Sequence, residues 1–195
     1  MPGTIRHIVV LLLMIQLFCL TGASPVPGTT GDRGHTQGTI AGDHHIELLR
    51  DGEYFETLLK AVRGAKTEIV MAFFLFKTQG YKNSPPDILL RTLIEAAERG
   101  VGIRILLEKG KDATSPVDES NRKTALRLRA KGIEVSFDTP RRTTHTKVVV
   151  IDRRYTFLGS HNLTSSALQY NHELSLFVDS PGLAMETLKY INMLH

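Results

Sequence analysis

The 195-residue sequence has one cysteine, Cys19, and no tryptophan. Cys19 falls inside an apolar N-terminal run. Once that run is removed no thiol remains, so disulfides, thiolate metal sites and cysteine nucleophiles are excluded together. The signatures of a bound metal are missing as well. The chain carries no HExxH, no EF-hand loop, no Walker loop and no carboxylate cluster suited to Mg²⁺. His35, His44 and His45 have no acidic or cysteine partner at ligand spacing and read as surface histidines. No cofactor is therefore expected, and the chemistry is expected to run without metal. Internal repeats are absent too. Neither sign of charge dominates, with 24 Lys and Arg against 20 Asp and Glu. That mild basic balance is compatible with an anionic substrate but does not specify one.

What remains is the composition of a soluble globular domain, 42% hydrophobic and 23% charged, with enough chain to bury one core. Residues 1–24 read as a secretory signal: Arg6, an apolar run over 8–20, then the small residues Thr21, Gly22 and Ala23. At about thirteen residues the apolar run is short of the ~20 that span a bilayer. A secreted, periplasmic or cell-envelope location follows, with a retained membrane anchor as the alternative. Bulky Phe18 before Cys19 weakens a lipoprotein reading. Residues 25–42, rich in Gly, Thr and Pro, read as a flexible linker, and the folded domain is expected over 43–195.

Within that domain, strands are expected over 45–49 (an edge strand), 67–76, 101–108 and 133–137. Helices are expected over 52–65, from Pro86 to Gly100, and over 117–131. A hairpin at 145–158, a helix beginning near Leu163 with Asn162 or Thr164 as its cap, a strand over 173–179 and a helix over 182–194 complete the chain. The strand–helix–strand alternation predicts an α/β fold: a mixed, largely parallel central sheet sandwiched by helices.

One stretch is dense in chemistry. His145 and Lys147 open the β-branched run Val148-Val149-Val150-Ile151, which ends at Asp152, and Gly159-Ser160-His161-Asn162 follows after a short connection. Alternation on a strand points His145 and Lys147 the same way and turns Asp152 to the opposite face. An imidazole beside an ammonium, joined by a Ser hydroxyl and an Asn amide, suits a phosphate. The Lys supplies charge, Ser and Asn supply hydrogen bonds, and the His can attack phosphorus or move a proton.

The pattern His145-x-Lys147-x4-Asp152-x6-Gly159-Ser160-x-Asn162 resembles the HKD motif of the phospholipase D superfamily. A further match is Glu173, which opens the apolar run over 174–178. The resemblance covers residues 43–195 and implies the superfamily's α/β sandwich. It also implies a phosphodiesterase. His145 forms a phosphohistidine, Lys147 and Asn162, helped by Ser160, hold the phosphate oxygens, and Glu173 orients His145. Asp152 belongs to the motif and, by its parity, is assigned to holding local structure. His161 and His172 fall on the wrong parity and read as structural. The chain carries one His-x-Lys, so it is similar to the small nucleases of the superfamily that build one site across a two-fold homodimer axis.

Arg141 and Arg142 lead into His145 and, as a pair, are expected to contact flanking phosphates. Three functions compete on the sequence: an endonuclease acting on DNA or RNA, a phospholipase D or cardiolipin-type lipid hydrolase, and a nucleic-acid-binding module without catalysis. The intact motif argues against the third. The short chain and basic mouth favour nucleic acid over lipid. A wide apolar rim would favour lipid, and the sequence does not display one.

Overall fold

The computed structural model describes residues 44–110, 115–139 and 142–194. The expected signal segment and linker, Asp43 and Arg141 lie outside the described residues. Seven strands run β1 His45–Arg50, β2 Glu68–Phe73, β3 Gly102–Leu107, β4 Glu134–Phe137, β5 Lys147–Ile151, β6 Tyr155–Gly159 and β7 Leu174–Asp179. Five helices join them: α1 Gly52–Gly64, α2 Pro85–Glu98, α3 Pro116–Arg129, α4 Ser165–Gln169 and α5 Pro181–Asn192.

The strands form one sheet in the order β1-β7-β6-β5-β2-β3-β4. The expectation of a largely parallel sheet needs correction. Only β2–β3 and β3–β4 pair in parallel, whereas β1–β7, β7–β6, β6–β5 and β5–β2 are antiparallel. Helical crossovers enforce parallel neighbours, and they operate only where α2 and α3 carry the chain from β2 to β3 to β4. No helix lies between β4 and β5 among the described residues. The chain turns back there, and β5 enters beside β2 running the other way. β1, although followed by α1 and β2, crosses to the far edge and pairs with β7.

The two faces are unequally covered. One face packs Leu58 and Val62 of α1, Leu89 and Leu93 of α2, Ala125 and Leu128 of α3 and Leu168 of α4 against Met71, Phe73, Ile105, Val149 and Phe157. The other carries α5 alone, whose Ala184, Leu188 and Ile191 meet Val70, Ala72, Leu106, Val148 and Val150. Capping residues set several helix starts. The Ser180 hydroxyl accepts from Leu183 N at 3.2 Å, and the Thr164 hydroxyl accepts from Ala167 N at 3.1 Å. Thr164, not Asn162, therefore caps α4, and the Asn162 side chain is left for other work.

Candidate active site

The antiparallel centre brings the motif together. β5 begins where its hairpin partner β6 ends, and β7 begins beside the end of β6, in register Gly159↔Ser175. His145 and Lys147, Ser160 and Asn162, and Glu173 consequently share one rim of the sheet. Gly159 has a steric reason: a Cβ there would sit 2.6 Å from the Leu174 carbonyl oxygen.

His145 is exposed, and its ring meets the Phe74 ring edge-on at 4.8 Å between centroids. Lys147 is buried. Its Nζ donates to the His145 carbonyl at 2.8 Å and stands 5.3 Å from the centre of the same Phe74 ring. Burial pushes the Lys147 pKa down, and the nearby Glu173 carboxylate pulls it back up. The Glu173 carboxylate accepts from the Ser160 hydroxyl and from Asn171 Nδ2. Among the described residues no hydrogen bond joins Glu173 to His145, so the carboxylate acts here on Ser160 and Lys147. The Asn162 Oδ1 is buried without a hydrogen-bond partner, an acceptor that local structure does not use.

Other groups hold this rim in place. Thr144, next to His145, donates its N–H to Glu108 at 2.6 Å and its hydroxyl to Asp138, two buried carboxylates at the ends of β3 and β4. Buried Asn121 of α3 donates to the carbonyls of Phe74 and Glu108, and accepts from Phe76 N. Asp51 carries the far side. Its N–H donates to the Glu173 carbonyl at 3.0 Å, and its Oδ1 accepts from Glu173 N at 2.9 Å. Its carbonyl lies 3.0 Å from His161 Nε2. Sequence reasoning missed Phe74, Asn121 and Asp51. For Asp51, the Asp-Gly step before a helix announces a cap, yet this carboxylate makes no bond to its own helix.

His161 is fully buried and stacks on Tyr54 with ring centroids 4.3 Å apart, and its Nδ1 lies 2.7 Å from Ser175 Oγ. Burial lowers its pKa, opposed by the Asp51 carbonyl. His172 is exposed, 3.4 Å from an Asp51 carboxylate oxygen. Asp152 sits at the opposite end of β5 from the rim. Its carboxylate accepts from Lys66 N, Thr67 N, the Thr67 hydroxyl and Glu68 N. The structure therefore does not bring Asp152 to the other motif residues. Arg142 is exposed beside His145.

Two clefts meet at His145. One, of about 470 Å³, combines the aliphatic wall of Val148 and Leu158 with Lys147, Glu186, Thr187 and Tyr190. The other, of about 390 Å³, is lined by Arg142, Thr143, Thr144, Thr146, Tyr190 and Met193. Among the described residues, no group of three or more His, Cys, Asp or Glu side chains is placed to hold a metal ion.

The fold and sequence have relatives. Cardiolipin synthase A of Edwardsiella ictaluri is 28% identical over 149 residues, which is 73% of this chain and 29% of that protein. Cardiolipin synthase A of Klebsiella pneumoniae is 28% identical over 152 residues, 75% of this chain and 29% of that protein. The chain thus spans under a third of the length of these curated relatives. Among solved structures, the phospholipase D family member Nuc from Salmonella typhimurium superposes with a TM-score of 0.65 at 22% identity, covering 78% of this chain and 94% of that one. NucT from Helicobacter pylori superposes with a TM-score of 0.62 at 17% identity, covering 78% and 96%. The family described as cardiolipin synthase, PLD-like domain, matches residues 58–195, and this chain, with the His, Lys, Ser and Asn of its motif gathered on one rim, belongs to the phospholipase D superfamily.

Proposed function

We propose that the protein is a phosphodiesterase that transfers the phosphoryl group to His145 in a two-fold dimer, and that its substrate is a phospholipid. In the first step a ring nitrogen of one subunit's His145 bonds to phosphorus. The P–O bond to the leaving group breaks, and His145 of the partner subunit gives that oxygen a proton. In the second step the same partner histidine takes a proton from water, whose oxygen displaces His145 from phosphorus. Lys147 and Asn162 hold the non-bridging oxygens, and Ser160, tied to Glu173, fixes that side of the rim. Asp152 takes no part in the chemistry. The secretory signal read from residues 1–24 supports a location outside the cytoplasm or at the envelope, with a retained anchor as the alternative.

The single observation that carries the substrate is the pair of unlike clefts. A diester with one apolar arm and one polar arm matches an aliphatic wall on one side of His145 and an arginine with threonine hydroxyls on the other. Nucleic acid was the preferred substrate on sequence grounds, and Arg142 at the polar cleft together with the net charge of +4 keeps it as the second reading. Incubating the protein in EDTA with cardiolipin vesicles, plasmid, single-stranded DNA and RNA separates the two. Release of phosphatidyl products with intact polynucleotides supports the lipid reading. Cleaved polynucleotide with untouched cardiolipin overturns it in favour of the nuclease, and activity lost in EDTA but restored by Mg²⁺ overturns the metal-independent scheme.

A further inference from the structure

The sheet face carrying α5 is only half roofed. α5 packs against β6, β5, β2 and β3, which leaves β1 and the start of β7 without a described helix over them on this face. Strand pairing sets a row of apolar side chains running outward from beneath α5: buried Val148 opposite half-buried Leu158, Leu158 opposite half-buried Leu176, and Leu176 opposite exposed Leu48, with Thr156 and Val178 of the same face buried beside it. Val148 and Leu158 are walls of the apolar cleft at His145. The row thus runs without a break from the catalytic strand to the edge of the sheet. Ile46 and Leu174 flank it on the same strand parity, 60% and 52% exposed, with Leu48 itself 42% exposed. On the opposite face the equivalent residues are covered: Leu49 and Phe157 are at most 1% exposed.

An aliphatic surface of this kind is costly in water and marks a partner. We propose that it is a bilayer-docking face, on which Ile46, Leu48 and Leu174 enter the acyl region of a membrane and the row Leu48-Leu176-Leu158 guides one lipid's apolar arm toward His145. The cleft decides the occupant. It opens onto this face, so a second protein chain seated there would close the route to His145, whereas a bilayer supplies substrate through it. Arg50, which follows Leu48 on the same parity, is exposed and 3.8 Å from Glu53, an exposed pair that a headgroup phosphate can replace. The inference deepens the lipid reading above and rests on it for the role of the cleft, but the docking itself is measured without turnover.

The test uses the full chain with Cys19→Ser, carrying a polarity-sensitive thiol probe at Leu48→Cys or, as a reference on exposed Lys60 of α1 across the sheet, at Lys60→Cys. Both are mixed with phosphatidylcholine–cardiolipin vesicles whose acyl chains carry bromine. The expected result is a blue shift and strong quenching at position 48, with none at 60. Equal quenching at both positions, or none at 48, overturns the proposal. So does a probe at 48 already blue-shifted without vesicles, which would assign the face to a second copy of the chain. Ile46→Thr with Leu48→Thr keeps β-forming side chains and is the functional arm. It should lower turnover of vesicle cardiolipin at least tenfold while leaving bis(p-nitrophenyl) phosphate hydrolysis within twofold, and an equal loss on both substrates overturns the proposal. If the wild type docks as described but cleaves no lipid, the docking face stands and the lipid substrate falls.

Discussion

Replacing Asp152 separates stability from chemistry at a motif position. The residue occupies the first turn position between β5 and β6 with φ +54°, followed by Arg153 at +52°, and Arg154 N closes the turn onto the Ile151 carbonyl at 3.1 Å. Its carboxylate gathers four donors from residues 66–68, at the start of β2. Asp152→Gly tolerates the positive φ, so it isolates the loss of the acceptor. Hydrogen bonds to a charged group contribute about 1.5–3 kcal/mol each when buried, and with partial solvent access the four together are set at about 2–4 kcal/mol. Asp152→Asn keeps an acceptor oxygen without the charge and is expected to lose about half of that. For a domain of this size the Asp152→Gly melting temperature should fall by roughly 5–15 °C. Urea unfolding at pH 7 measures the difference. Burial alone would raise the Asp152 pKa, but the N–H groups of Thr67, Lys66 and Glu68 outweigh it and hold the carboxyl below the ordinary aspartate range. The stabilisation is therefore present above about pH 4 and disappears as pH falls through the native value, so wild-type and Asp152→Gly curves should converge in acid. Turnover of the folded variant at low temperature should stay within about threefold of wild type, a change of under ~0.7 kcal/mol in the barrier. A collapse of turnover with stability unchanged would refute the structural assignment.

His145→Ala should abolish turnover while the circular dichroism spectrum and melting curve stay native, because His145 is exposed and precedes its strand. Wild type quenched during turnover should carry an acid-labile, base-stable phosphoryl group on His145, checked by mass spectrometry. Co-expressing wild type and His145→Ala equally should leave roughly a quarter of full activity if a dimer needs both histidines, against roughly half if each subunit works alone. Asp51 sits at φ +46°, a conformation that favours glycine, so Asp51→Gly should fold well while freeing the Glu173 amide. Amide exchange at Glu173 should then accelerate and turnover drop about tenfold, equivalent to ~1.4 kcal/mol, with Asp51→Asn restoring both.

The residues that the sequence made legible are those whose geometry is local. Apolar periodicity placed every strand and helix of the described domain to within a few residues, and fixed spacing placed His145 and Lys147 together. Strand direction was not legible, since the crossover pattern that holds from β2 to β4 says nothing about a strand arriving through the loop before His145. The Ser160–Glu173 bond also depends on the register of β6 against β7, which no spacing along the chain records. The open face escaped notice for a related reason. Leu48, Leu174 and Leu176 alternate as core residues do, and only the absence of a second described helix on that side leaves Leu48 and Leu174 exposed and Leu176 half-buried.

The pairing of β1 with β7 joins the two ends of the folded domain, His45 opposite Asp179, and the Asp51–Glu173 contacts close beside it. On the ribosome β1 emerges early and must wait for the last strand before it has a neighbour. A chain interrupted before Leu174 would already hold His145, Lys147, Ser160 and Asn162, but not the strand that seats Glu173 against Asp51. Emergence of β7 is thus what completes the proposed rim, and a chain stopped before it lacks that strand by its own topology.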